Sequence, residues 1–297
     1  MKIRRLSLRI LAVFSVLLVI VQTVSFVAVT SAASNHARLK GESELDTGQR
    51  IFRQMLDQNT SRLAQAAGVL TADFGFRSAI ATRDLETIAS ALQNNGVRIG
   101  ADLMFFISLD GRIEAHSGGR SVINGTPFPL SSLIDAAEDG SATAIDELYG
   151  DSYQLVSVPV RAPLPIGYIV LGFRIDEQIA RSLKSLTNVD VTVLKATGVS
   201  PAWQVVSSTL PMDRARTSFG NMAASSLAEG TLQRVELQGE DYQVRVLLLS
   251  DRGAGRPIVA VLQRSYAAAM AGFDKLRETL ILLGIGGLAV LVLGATA

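Results

Sequence analysis

The sequence predicts an α+β protein in which two lobes of antiparallel sheet stand on a long N-terminal helix, flanked by two membrane-spanning helices. Three observations predict it. Apolar stretches lie at Leu11–Val29 and Leu280–Ala297, heptad-like apolar spacing runs through Glu42–Leu70, and strand-length apolar runs separated by turn signals occur in two sets between Asp102 and Gln263.

A bilayer core of about 30 Å needs roughly 20 apolar residues in a helix. The run from Leu8 to Val29 supplies them, interrupted by Arg9, Ser15, Gln22, Thr23 and Ser25. Lys2, Arg4, Arg5 and Arg9 precede it, and basic residues in a short flank are held on the cytoplasmic side. The N-terminus is therefore expected inside and the central region outside. Ser31-Ala32-Ala33 offers small residues to a signal peptidase, but the apolar run exceeds the roughly 7–15 residues of a signal peptide, which favours an uncleaved anchor. The second stretch ends with the chain, so the sequence reads as the input half of a receptor without its output half.

Between the two stretches, Glu42–Leu70 reads as one helix with apolar positions at Leu45, Phe52, Leu56, Leu63, Ala66 and Leu70 and with Asn59 in the same stripe. Two readings stay open. The stripe is a dimer seam whose Asn sets the register, or it is the face that the helix packs on its own domain, widened by Ile51 and Met55. A second helix is expected over Arg83–Asn95, stopped by Asn94-Asn95-Gly96. Strands follow at Asp102–Leu109 and Arg112–His116 around the Asp110-Gly111 turn, then a loop over Gly118–Pro129, a short helix over Leu130–Glu138, and strands at Ser141–Leu148, Asp151–Val160 and Gly167–Ile175. Helix returns over Asp176–Leu186. The shorter second set of strands covers Val189–Lys195, Ala202–Thr209, Leu232–Leu237, Tyr242–Ser250 and Pro257–Gln263, and Ser265–Glu278 reads as a helix leading into the second stretch. The domains are thus a basic tail with the first span (1–33), a stalk helix (34–70), a larger membrane-distal lobe (71–180), a smaller membrane-proximal lobe (181–266) and a helix entering the second span (267–297).

This order resembles the double Cache, PAS-like sensor domains of bacterial membrane receptors. The stretch from Leu103 to Ile113, Leu-Met-Phe-Phe-Ile-Ser-Leu-Asp-Gly-Arg-Ile, looks like the first strand pair of a Cache lobe, and Tyr168-Ile-Val-Leu-Gly-Phe173 looks like its closing strand. The long helix carrying Arg62-Leu63-Ala64-Gln65 is similar to input domains ahead of diguanylate cyclase and cyclic-di-GMP phosphodiesterase modules. The resemblance implies an extracytoplasmic sensor that is not an enzyme, with its ligand on the sheet face opposite the long helix. The amino-acid-binding subgroup uses Tyr, Arg, Trp and Asp around its distal strands, whereas the single tryptophan here, Trp203, lies in the second set of strands. Amino acids are therefore not implied as the ligand.

Composition narrows the chemistry. A net charge of +1 with no basic run gives no footprint for nucleic acid. With no cysteine, disulfides, thiolate metal sites and a Cys nucleophile are excluded. Neither a Gly-x-Ser-x-Gly elbow nor a His-Glu-x-x-His helix nor a P-loop is present, so no cofactor or metal is expected. Of the two histidines, His36 follows the first span and His116 is the candidate functional imidazole. Asp135, Glu138, Asp139, Asp146 and Glu147 read as a solvated helix end and strand edge.

Strand residues alternate between faces. In the larger lobe Leu103, Phe105, Ile107 and Leu109, Val156, Val158 and Val160, and Ile169, Leu171 and Phe173 form the apolar sides expected under helices. The opposite sides carry Phe106, Ser108, His116, Tyr153, Ser157, Arg161, Tyr168 and Arg174, a mix of rings, hydroxyls and cations that suits a small-molecule pocket covered by the Gly118–Pro129 loop. Arg161 and Arg174 favour an anionic ligand, because a guanidinium grips a carboxylate with two prongs. The expected function is ligand sensing by a homodimer in the membrane that signals through the second membrane helix to a cytoplasmic effector. The alternative is an anchored interaction protein that binds a partner protein.

Overall fold

The protein, as a computed structural model, is described over residues 2–117, 122–199, 202–220, 222, 227, 229–250 and 256–296, with the side chains of 2–12, 15, 274, 288 and 290–296 set aside. Residues 118–121 of the expected covering loop and the loop at 251–255 fall outside the described residues.

No proline occurs before Pro127, and the N-terminal helix α1 runs unbroken over Lys2–Ala72. Among the described residues its segment from Val16 is the one long and apolar enough to cross a membrane. The expected second span lies in α7, Tyr266–Thr296, where most side chains from 288 onward are outside the described set. Asp73 ends α1 and caps α2, Phe74–Ala81, by accepting the Phe76 N–H at 2.8 Å. Asp84 caps α3, Leu85–Ile99, and Gly100 ends it in the left-handed region at φ 77°. The expected stop at Gly96 is therefore wrong. Gly96 is buried within the helix, where an added Cβ would stand 3.2 Å from Met104 Sδ.

The strands are β1 Leu103–Ile107, β2 Ile113–Ser117, β3 Ala142–Leu148, β4 Asp151–Arg161 and β5 Pro165–Arg174, with α4 at Ser131–Asp135 between β2 and β3. Helix α5, Glu177–Thr187, leads to β6 Asp190–Ala196, β7 Trp203–Ser208, α6 Met212–Gly220, β8 Leu232–Leu237, β9 Glu240–Leu248 and β10 Ile258–Ser265. The first sheet has the order β2-β1-β5-β4-β3 and the second β7-β6-β10-β9-β8, so both repeat one topology. The fold is α+β, with two antiparallel five-stranded sheets and a long N-terminal helix.

The chain forms two compact units, residues 46–232 with 245–263, and residues 1–45 with 233–244 and 264–297. In the former, the stripe of α1 is spent on the first sheet. Leu63, Ala67 and Leu70 join Phe76, Ile80, Ile88 and Leu92 from α2 and α3 over Met104, Phe106, Val156, Val158, Ile169 and Leu171. Asn59 of the same stripe donates to Gln154 Oε1 at 2.7 Å, while Gln154 Nε2 donates to the Leu56 carbonyl at 3.2 Å and to Thr60 Oγ1. Of the two readings of this stripe, packing on its own domain is the one seen. In the other unit, Arg264 pairs with Glu44, Gln243 donates to the Arg38 carbonyl at 3.3 Å, and Arg234 lies over the Tyr266 ring at 5.1 Å.

Candidate functional site

The face of the first sheet turned away from α1 carries a second core. Leu103, Phe105, Ile107, Ile113, Tyr153, Leu155, Tyr168 and Val170 pack there under Phe128, Leu133, Ile134 and Ala137. With helices on one face and α4 and its loop on the other, β1 is buried at every position.

Register aligns one row across this face. His116 pairs with Phe105, Phe105 with Val170, Val170 with Ser157, and Ser157 with Ala142. Strands lie about 4.8 Å apart, so His116 and Ser157 stand roughly 14 Å apart at the two sides of the row. Ser157 is 0% exposed and its Oγ has no hydrogen-bond partner among the described residues; His116 Nδ1 is buried and likewise unpartnered among them. Buried polar atoms are nearly always satisfied, so these two mark where a polar group is wanted. The Phe105 ring lies between them, with centroids 6.2 Å from His116, 5.7 Å from Phe128 and 6.1 Å from Tyr149.

On the same face, Tyr168 lies one row away, beside Ile107 and Pro159, and Tyr153 lies two rows away on the other side, beside Arg174 and Asp146. Burial pushes the Tyr168 phenol above its ordinary range, the Glu138 and Asp135 carboxylates push it further, and Arg161 opposes them. Arg161 is exposed at the rim and donates from Nη2 to the Glu138 carbonyl at 3.0 Å. Between the rows, Leu103 and Leu155 close over Gly172, where an added Cβ would meet Leu103 Cδ1 at 2.5 Å.

His116, Tyr153, Ser157 and Tyr168 therefore share one face with Arg161 at its rim. Phe106 does not. It lies in the core against α1, α2 and α3, while Leu103, Phe105 and Ile107 occupy the loop-covered face, so the expected phase of β1 is corrected by one residue. Ser108 belongs to the hairpin turn, where its Oγ contacts Asp110 Oδ1 and accepts the Arg112 N–H at 3.1 Å. Arg174 is half exposed, takes Asp102 as its partner at 3.8 Å, and its backbone N–H donates to the same carboxylate at 2.7 Å. Phe105, Phe128 and Tyr149 were not anticipated here. Among the described residues, no group of three or more His, Asp or Glu is placed to hold a metal ion.

No curated protein matches the chain. Among solved structures, the sensory domain of the Campylobacter jejuni chemoreceptor Tlp3 with isoleucine bound is 10% identical, with a TM-score of 0.49, covering 82% of this chain and 97% of its own. The periplasmic domain of Vibrio cholerae LuxQ is 13% identical, with a TM-score of 0.47 and coverage of 74% and 99%. The ligand-binding domain of the Pseudomonas aeruginosa chemoreceptor PctB, in complex with L-Arg, is 11% identical, with a TM-score of 0.45 and coverage of 77% and 95%. In sequence, the family model dCache_3, the double sensory domain of two-component sensor kinases, matches residues 39–268, most of the chain, and the chain belongs to that family.

Proposed function

We propose that this chain is the extracytoplasmic ligand-sensing input module of a bacterial membrane receptor, anchored in the inner membrane by the apolar part of α1. A small molecule is held on the loop-covered face of the first sheet. The observation that carries this reading is the row His116–Phe105–Val170–Ser157, which sets two unpartnered buried polar atoms on either side of an aromatic ring beneath a loop. The ligand offers hydrogen-bonding groups to Ser157 and His116, stacks on Phe105 and Tyr168, and places an anionic end at Arg161 on the rim. The role is sensing rather than catalysis.

Binding acts on an output only if it favours one of two conformations. Strand β10 ends at Ser265 and α7 begins at Tyr266, with Ser265 Oγ accepting the Ala268 N–H at 3.2 Å. No loop separates the strand from the helix, so a movement of β10 is delivered directly to α7 and through it to a cytoplasmic effector, in a homodimer whose paired helices shift against each other.

Thermal unfolding of the full-length protein in nanodiscs against a metabolite panel tests this, since a ligand at a hundred times its Kd adds about 2.7 kcal/mol to the folded state. One chemical class is expected to raise the Tm, with the shift lost in Ser157→Val and His116→Phe. No shift across the panel would instead support an anchored domain that binds a partner protein.

A further inference from the structure

A cleft of about 320 Å³ lies beside the first sheet, lined by α1 at Arg53, Leu56, Asp57 and Thr60, by β3 at Thr143–Ile145, by Gln154 of β4 and by Leu247–Leu249 at and just past the end of β9. None of His116, Tyr153, Ser157 and Tyr168 lines it.

Main-chain groups of two strands turn toward this cleft. Strand β3 is the last of its sheet. The two-residue loop of Tyr149 and Gly150, at φ 52° and 93°, makes Leu148 and Asp151 the closing hydrogen-bonded pair. Alternation then turns the main chains of Ala144 and Asp146 to β4 and those of Thr143, Ile145 and Glu147 to the open edge. The Glu147 N–H agrees, since it takes the Asp146 carboxylate at 2.6 Å instead of a strand. On β9, the Leu249 N–H donates to the Ile258 carbonyl at 2.9 Å, toward β10, whereas the Val246 carbonyl accepts the Gly230 N–H at 3.0 Å on the opposite side. Leu248 therefore turns its main chain to that opposite side, beyond the Glu229–Val246 bridge.

The charges are arranged to match. Arg53 and Asp57 are exposed, one turn apart on α1, and neither forms an ion pair or hydrogen bond among the described residues. Four residues of helix rise about 6 Å. Two residues of extended chain span roughly 7 Å between their ends, whereas the two charges of a single amino acid are separated by one carbon. Leu56, Ile145 and Leu247 supply the cleft with apolar lining. The gap also suits the lower end of small-molecule pocket sizes, roughly 300 Å³.

The geometry points to a second binding site in this cleft, for an extended dipeptide with free termini: its main chain pairs with the Thr143–Ile145 edge, its carboxylate meets Arg53, its ammonium meets Asp57, and an apolar side chain lies on Leu56 and Leu247. Strand addition supplies affinity through the main chain, and the two termini supply the length selection.

The test is isothermal titration of the full-length protein in nanodiscs with glycyl-L-leucine, N-acetylglycyl-L-leucine, glycyl-L-leucinamide and L-leucine. Glycyl-L-leucine is expected to bind, and each blocked form and leucine to bind at least tenfold more weakly. In Asp57→Asn the penalty for acetylation disappears, and in Arg53→Gln the penalty for amidation disappears, as a coupled pair requires. Both changes are on an exposed helix face and leave the core intact. No binding at millimolar glycyl-L-leucine, equal binding of leucine, or blocking penalties that persist unchanged in the two variants would overturn the assignment.

Discussion

Lys195 Nζ stands 3.2 Å from Glu147 Oε1 and donates to the Gly150 carbonyl at 2.8 Å, with only 6% of the lysine side chain exposed. The lysine belongs to β6 of the second sheet, and its partners belong to the β3–β4 hairpin of the first. One ammonium group thus joins the two sheets. Removing one partner of a buried pair is costly because the other charge is left behind. Glu147→Gln leaves a buried ammonium with neutral oxygens and no counter-charge, and a loss of about 2–3 kcal/mol in urea unfolding is expected. Lys195→Met leaves a partly hydrated carboxylate and an exposed turn, so a smaller loss of about 1–2 kcal/mol is expected.

Gln154 ties the first sheet to α1 through Asn59, the Leu56 carbonyl and Thr60. Gln154→Leu strips all three at once and leaves the Asn59 amide with no partner on the sheet. A destabilisation of about 2–3 kcal/mol in urea unfolding is expected. Asn59→Leu is expected to destabilise the fold by a smaller amount without changing the mass measured by light scattering, since Asn59 serves the chain's own sheet.

Ser157 Oγ is buried without a partner, so in the unliganded protein it is a cost rather than a contribution. Ser157→Ala is expected to raise stability by about 1 kcal/mol in the absence of ligand while removing the ligand-induced rise in Tm. A stabilising change that abolishes the response separates a binding role from a packing role.

Tyr168 is expected to titrate above an ordinary phenol, for which the unfolded value is about 10, because burial and the Glu138 and Asp135 carboxylates disfavour its anion. A value raised by folding means that the contribution to stability is fully present below the unfolded value and is lost as pH rises through the folded one. Tyrosinate absorbance during alkaline titration checks this, and Glu138→Gln is expected to bring the transition to lower pH.

Much of the fold is legible because its elements carry local signals. Turn residues mark the hairpins at Asp110-Gly111 and Tyr149-Gly150, and Val156, Val158 and Val160 alternating with Ser157 and Arg161 give β4 its phase. Strand β1 has no such marker. Leu103-Met-Phe-Phe-Ile107 is apolar on both sides because both faces of its sheet are covered, so alternation cannot say which side is which, and Phe105 and Phe106 exchange places. The partner of Asn59 is hidden for a different reason, since Gln154 lies 95 residues away. Helices α2 and α6 are short, at 8 and 9 residues, too brief for periodicity to declare them, although the Asp73 cap is visible in retrospect. Arg174 looks like a ligand-binding cation until Asp102, on the loop before β1, is seen beside it.

A ligand on the face bearing His116, Phe105 and Ser157 is the core of the proposed function. Hydrogen exchange of the full-length protein, with and without the metabolite that raises its Tm most, tests it most directly. Slower exchange over residues 122–137 and along β1 and β5 is the predicted result. A ligand that raises the Tm yet leaves those amides unchanged would contradict it.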